Sequence, residues 1–234
     1  LRVPPAGWFL ELGASSDLVE RARRLGAPDA RLAPVAAPAM PPAERGRTEV
    51  RAQLGASGRP LVLAVGRLAA QKDYDTLLDA AAGWARREPQ PLVVVAGSGP
   101  EHDRLQRVID GRGLAVRLLG HRDDIADLLA AADLYVLTST WEARALVVQE
   151  AMRAGVAVVA TAVGGVPELA ARIPIRNFVD HGLATATELK DNQSIYDAYL
   201  KVREKGRHMA VKPGDAIPIA DLDVRVVSSG GKVL

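Results

Sequence analysis

The 234-residue chain contains no cysteine. That excludes disulfide frameworks, thiol nucleophiles and thiolate metal sites, and it suits a reducing, cytoplasmic setting. Aromatic side chains make up only 4% of residues and the formal net charge is +2. Basic residues are not interleaved with aromatics, so the stacking platforms of single-stranded nucleic-acid binders are not expected, and no nucleic-acid partner is. No charge-free apolar stretch reaches membrane-spanning length, and Leu1 to Pro5 carry no signal-peptide pattern. The four histidines, His102, His121, His181 and His208, are scattered without metal-ligand spacing, so no metal site is expected. Lysine is scarce too. It occurs once in residues 1–172, as Lys72, against twenty arginines, whereas residues 173–234 hold five lysines and four arginines.

What the chain does have is a regular alternation. Short apolar runs at Leu61–Val65, Pro91–Ala96, Val116–Gly120, Leu134–Leu137 and Val156–Ala160 read as strands buried on both faces. Between them the apolar spacing predicts helices over 76–87, 101–112, 125–131 and 145–154. Strict alternation of this kind predicts a doubly wound parallel α/β sheet, whose ligands lie outside the carboxyl ends of the strands.

The motifs fall on that edge. The first run leads into Gly66 to Lys72 (GRLAAQK), where glycine lets backbone approach a ligand. Arg67, a planar fork, and Lys72, a mobile point charge, project from the same mouth and suit phosphate oxygens. A solvated basic loop is the plain alternative. The second run ends in Gly97-Ser98-Gly99-Pro100, a glycine turn before a helix. The fourth leads into TWEARALVVQE, residues 140–150, with two carboxylates, Glu142 and Glu150, eight residues apart. Helical rise would separate them by roughly 10–12 Å along the axis, about a nucleoside diphosphate's length. Free N–H groups at Arg144, Ala145 and Leu146 would form an anion seat between them. An amphipathic helix bearing surface acids has the same spacing.

Read together, AVGRLAAQKDYDTLLDA, VVVAGSGPEHDRLQ and the stretch from LLGHRDD through GGVPEL resemble the donor-binding half of family 4 glycosyltransferases of the GT-B fold, over about Gly13 to Ala171. The resemblance implies a Rossmann-like nucleotide-sugar-binding domain of a retaining hexosyltransferase. In that reading Arg67 and Lys72 grip the donor diphosphate beside Gly66 and Gly97, Glu142 attends the transferred sugar as the catalytic carboxylate, and Glu150 the ribose. It also implies a nucleoside diphosphate sugar as substrate and no separate cofactor. Two departures stand out. The family has glycine after the lysine and a Gly-Phe-Gly or Gly-Phe-Pro run after the first glutamate, where this chain has Asp73 and Ala143-Arg144-Ala145. Arg144 then either supplements the phosphate ligands or faces water.

The flanks complete the expected organisation. Residues 1–32 resemble the last strand–helix unit of the family's acceptor half, with a Ser15-Ser16-Asp17 cap; 33–46 is a Pro/Ala-rich linker; and 47–172 is the donor domain. The rest of the acceptor half is missing, so the chain is expected to be a catalytically incomplete piece of its enzyme. Family members touch anionic lipid through that half, which leaves contact with a membrane surface open. The tail, 173–234, is expected to be α+β: a helical stretch over 192–205, then strands either side of Pro213-Gly214-Asp215 joined by a turn. It resembles an internal fragment of metallo-β-lactamase-fold hydrolases without the zinc motif, with a seam at 164–174. The alternatives to a transferase are a hydrolase-related protein and a ligand-free interaction module.

Overall fold

In a computed structural model the described residues are 11–166, 177–180, 197, 200–201, 203–204, 207–210, 212, 216–219, 222–225, 228–229 and 232–233. They fall into two compact units. The first gathers Leu1–Ala36, Trp141–Ala145 and Ala162–Ala210, and the second Ala37–Thr140, Leu146–Thr161 and Val211–Leu234.

In the first unit, strand β1 (Leu12–Gly13) pairs in parallel with β2 (Arg31–Leu32) across helix α1 (Ser16–Arg24). The acidic first turn at Asp17 and basic last turn at Arg21, Arg23 and Arg24 complement the helix dipole. Ser15 holds the N-cap position, but its hydroxyl makes no capping bond; its Oγ is buried and finds no partner among the described residues. The expected side-chain cap is therefore absent. Residues 33–43 form no helix or strand.

The second unit is built on helix α2 (Arg47–Gln53) and five parallel strands, β3 (Leu61–Val65), β4 (Leu92–Ala96), β5 (Val116–Leu118), β6 (Leu134–Leu137) and β7 (Ala157–Ala160). They lie in the order β5-β4-β3-β6-β7. Helices α3 (Tyr74–Gly83), α4 (His102–Arg112), α5 (Ile125–Ala131) and α6 (Leu146–Arg153) follow β3, β4, β5 and β6. The central strands β3, β4 and β6 are buried at nearly every position because both faces are covered, whereas β5 carries an exposed Arg117 and β7 is partly open. Val62, Ala64, Val93 and Val95 join Leu77, Leu78, Leu105 and Ile109 in one cluster. Leu61, Leu63 and Val94 are equally buried on the alternate phase. This is the doubly wound, Rossmann-like sheet that the alternation predicts.

Arginines brace the sheet's amino edge and both ends of α5. Asp133, just before β6, accepts from the Leu61 N–H at 2.7 Å and from Arg51 at 2.9 Å, and also pairs with Arg47. Arg45 pairs with Asp127 at 2.8 Å and with Asp124, so α5 is tied to the chain before α2. The Arg122 hydrogen bonds hold the Asp124 carboxyl down at about 2, below the usual carboxylate range.

The tail departs from expectation where it is described. Strand β8 (Asn177–Asp180) pairs in parallel with β9 (Arg207–Ala210), β10 (Ala216–Ile219) pairs antiparallel with β11 (Leu222–Arg225), and β12 (Ser228–Ser229) with β13 (Lys232–Val233). The strands flanking Pro213–Asp215 thus pair with other partners, and the antiparallel hairpin forms one strand later. Of the helix expected over 192–205, Asp197, Leu200, Lys201 and Arg203 are helical, and the rest lies outside the described residues.

Candidate functional site

The order of strands reverses direction between β3 and β6, which is where a doubly wound sheet opens a crevice beyond its carboxyl ends. Gly66 follows β3 and Thr138 follows β6 at that point. A side chain at Gly66 would meet Lys72 Cε at 3.0 Å and Nζ at 3.4 Å, so the ammonium is folded over the strand end. The loop is pinned from three sides. Tyr74 Oη donates to Gly66 O at 3.2 Å, Thr138 Oγ1 donates to Lys72 O at 2.9 Å, and the Thr140 N–H donates to Gln71 O at 2.8 Å. Arg67 beside it is exposed, and its guanidinium has no hydrogen-bond or ion-pair partner among the described residues.

The second glycine turn locks into the first. Gly66 N–H donates to Ala96 O at 3.0 Å and Leu68 N–H to Ser98 O at 2.9 Å. A Cβ at Gly97, φ +149, would overlap the Gly66 carbonyl, and one at Gly99 would overlap that of Leu68. These two glycines are required by contact between backbones, whatever else binds there.

The Glu142 loop differs from its expected form. Helix α6 begins at Leu146, because Ala145 takes a left-handed conformation, φ 42. Arg144 and Ala145 therefore precede the helix, and its first-turn donors are the N–H groups from Leu146 onward. Helical rise applies from Leu146 to Glu150 only, not across the whole span from Glu142. Arg144 does not face water: it is 6% exposed and its Nε donates to Val35 O at 3.3 Å. Glu142 is 7% exposed. Gly165 N–H donates to Glu142 O at 2.8 Å, and a Cβ at Gly164 would overlap that same carbonyl.

Glu150 is half-buried in the second turn of α6, and burial raises its pKa against the opposing pull of Arg153. A carboxylate partly stripped of water on the edge where ligands bind is a good acceptor for hydroxyls. On the buried side of the same helix, Gln149 Oε1 accepts from Ala37 N–H at 3.1 Å, and Arg153 donates to Ala37 O at 2.7 Å.

Asp73 also occupies left-handed space, φ 45, and its Oδ2 accepts from Thr76 Oγ1 at 2.7 Å. The two left-handed non-glycine residues thus stand at the positions where the sequence departs from the glycines of the resembling family. Residues 46–194 match the profile of Glycosyl transferases group 1. The chain belongs to that family. The match passes through the seam expected at 164–174 and covers the first part of the tail.

Among curated relatives, this glycosyltransferase chain is 36% identical over 131 residues to the alpha-D-kanosaminyltransferase of Streptomyces kanamyceticus, covering 54% of this chain and 34% of that protein. It is 33% identical over 138 residues to the mannosylfructose-phosphate synthase of Agrobacterium fabrum, covering 54% and 30% respectively. The chain thus matches about a third of the length of these relatives. Among solved structures, Anabaena Alr3699/HepE in complex with UDP and glucose aligns at a TM-score of 0.62 with 26% identity, over 85% of this chain and 59% of that one. The fold is that of GT-B glycosyltransferases.

Sequence reasoning did not pick out Tyr74, which holds Gly66, or the link between Trp141 and Asp17, where the indole N–H donates to Oδ2 at 2.6 Å. Tyr74 stands eight residues after Gly66 and reads as an ordinary core aromatic. Asp17 and Trp141 are separated by 124 residues and carry no local signal. Among the described residues no group of three or more His, Asp or Glu could hold a metal ion, and no helix is long and apolar enough to cross a membrane.

Proposed function

We propose that the chain binds a nucleoside diphosphate sugar as the donor-side part of a retaining glycosyltransferase. The observation that carries this is the loop after β3, where Lys72 lies over Gly66 and the Arg67 guanidinium stands exposed without a partner among the described residues, at the strand-order reversal. Two cations there suit a diphosphate leaving group, whose charge grows as the glycosidic bond breaks. Gly97 brings a second backbone turn to the same edge, and the N–H groups from Leu146 offer a further anion contact. Glu150 accepts from the ribose hydroxyls and Glu142 attends the transferred sugar. Arg144 and Ala145 shape the loop that leads into α6. The relative with UDP and glucose bound supports the class of ligand, and the donor is a substrate, so this reading calls for no resident cofactor.

Transfer by this chain alone should be slow. Holding donor and acceptor together supplies up to roughly 7–11 kcal/mol of barrier reduction, and the chain matches only 30–34% of the length of the relatives named above. The acceptor-side remainder of such an enzyme is its natural partner, and a cytoplasmic setting with possible membrane-surface contact fits that role. The family match extends to residue 194, into the tail that resembles a hydrolase fragment; one or two zinc ions per purified chain would favour the hydrolase-related reading. The donor reading is tested by soaking crystals with UDP and with GDP. Ribose density beside Glu150 with diphosphate at Arg67 and Lys72 is expected, and density elsewhere, or none, would refute it.

A further inference from the structure

Two distant stretches of chain converge on the loop Trp141–Ala145, all within the first compact unit. From one side, Trp141 Nε1 donates to Asp17 Oδ2 at 2.6 Å, the short distance of a charge-assisted bond. Arg144 Nε reaches Val35 O at 3.3 Å. From the other side, Gly165 N–H holds Glu142 O at 2.8 Å, and a Cβ at Gly165 would overlap Ala143 O and come within 3.2 Å of Ser15 Cβ. Glu142 sits between these holds, 7% exposed.

Asp17 is a costly choice if its only task is to satisfy the indole. The indole N–H needs one acceptor, and any neutral oxygen would serve. Asp17 instead places a carboxylate whose second oxygen, Oδ1, is buried with no partner among the described residues. An unsatisfied buried acceptor is destabilising. What the charge contributes is a shorter, stronger and more directional bond on the residue next to Glu142.

We propose that Asp17 is a positioning residue: by holding the Trp141 indole, helix α1 fixes the loop that presents Glu142. This rests on the donor-site reading of Glu142.

The test is hydrogen exchange and donor titration on the purified 234-residue chain with Asp17→Ala, Asp17→Asn and Trp141→Phe. Asn keeps an acceptor oxygen and Phe removes the donor. Asp17→Ala and Trp141→Phe should each speed amide exchange at 142–145 by about tenfold, as loss of a charged hydrogen bond implies, with the double variant no faster than either single one. The affinity advantage of UDP-glucose over UDP should shrink by about tenfold in both and by clearly less in Asp17→Asn, which keeps the acceptor without the charge, with UDP binding itself unchanged. Unaltered exchange at 142–145, or equal losses for UDP and UDP-glucose, would overturn the proposal. If the wild-type chain binds neither ligand, the assignment of Glu142 fails and the sugar arm falls with it; the exchange arm still decides whether Asp17 holds the loop. Should Asp17→Ala not fold, Trp141→Phe carries the same comparison.

Discussion

Ala145 and Asp73 are the residues at which this chain diverges most sharply from a glycine-built donor loop, and they differ in how well they tolerate it. Left-handed backbone costs an ordinary L-residue roughly 1–2 kcal/mol; glycine relieves that strain but loses about 0.5–1 kcal/mol to the greater freedom of its unfolded chain. Ala145→Gly should therefore stabilise the chain by about 0.5–1 kcal/mol in urea unfolding. Asp73→Gly should be near neutral, because aspartate visits this region more readily and also loses its bond to Thr76 on substitution. A loss of stability in Ala145→Gly would show that the left-handed loop is not strained. Gly97→Ala is the opposite case: a Cβ there overlaps the Gly66 carbonyl, and roughly 2–4 kcal/mol should be lost. The two glutamates should separate by ligand. Glu150→Gln should weaken nucleoside and nucleoside diphosphate binding alike, whereas Glu142→Gln should matter only when a sugar is attached; equal losses in both variants would reverse the assignment. Glycines 66 and 97 were legible in the sequence because each ends an apolar run. The left-handed Ala145 was not, since alanine is the best helix former and reads as the helix start.

At the scale of elements, the start of α5 and the amino edge of the sheet depend on ionised aspartates. Asp124 is held at about 2, first by the Arg122 hydrogen bond, and Asp127 is lowered first by its bond to Arg45. For Asp133, burial pushes the carboxyl up, but the Leu61 N–H and Arg51 outweigh it and leave it lowered. Groups whose folded pKa lies below the unfolded one stabilise the fold above the unfolded value near 4, and that contribution is lost as pH falls toward 2. The melting temperature should therefore drop between about pH 4 and 2, and less steeply in Arg45→Met; an equal acid slope in that variant would show that the lattice does not contribute. Strand and helix boundaries were legible to within two residues, as at Leu61–Val65 and Ile125–Ala131, except that the helix expected over 76–87 ends four residues early, at Gly83. The tail was misread because an alternating pattern says that strands exist but not which strand each one pairs with, so the turn at Pro213–Asp215 seemed to join neighbours that in fact pair elsewhere.

For the whole molecule, family membership followed from several ordered motifs, and the fold followed from their alternation with helices. The 124-residue link from Asp17 to Trp141 could not be read from sequence, because nothing local marks two residues that meet only after folding. The central claim is that the β3 loop, with Arg67 and Lys72, binds the donor diphosphate. Calorimetric titration of UDP and GDP into the chain and into Arg67→Ala and Lys72→Ala tests it most directly. Saturable binding of one nucleotide is predicted, weakened by roughly 1.5–3 kcal/mol in each variant, about 10- to 150-fold. Absence of binding to the parent chain, or identical titrations for all three proteins, would contradict it.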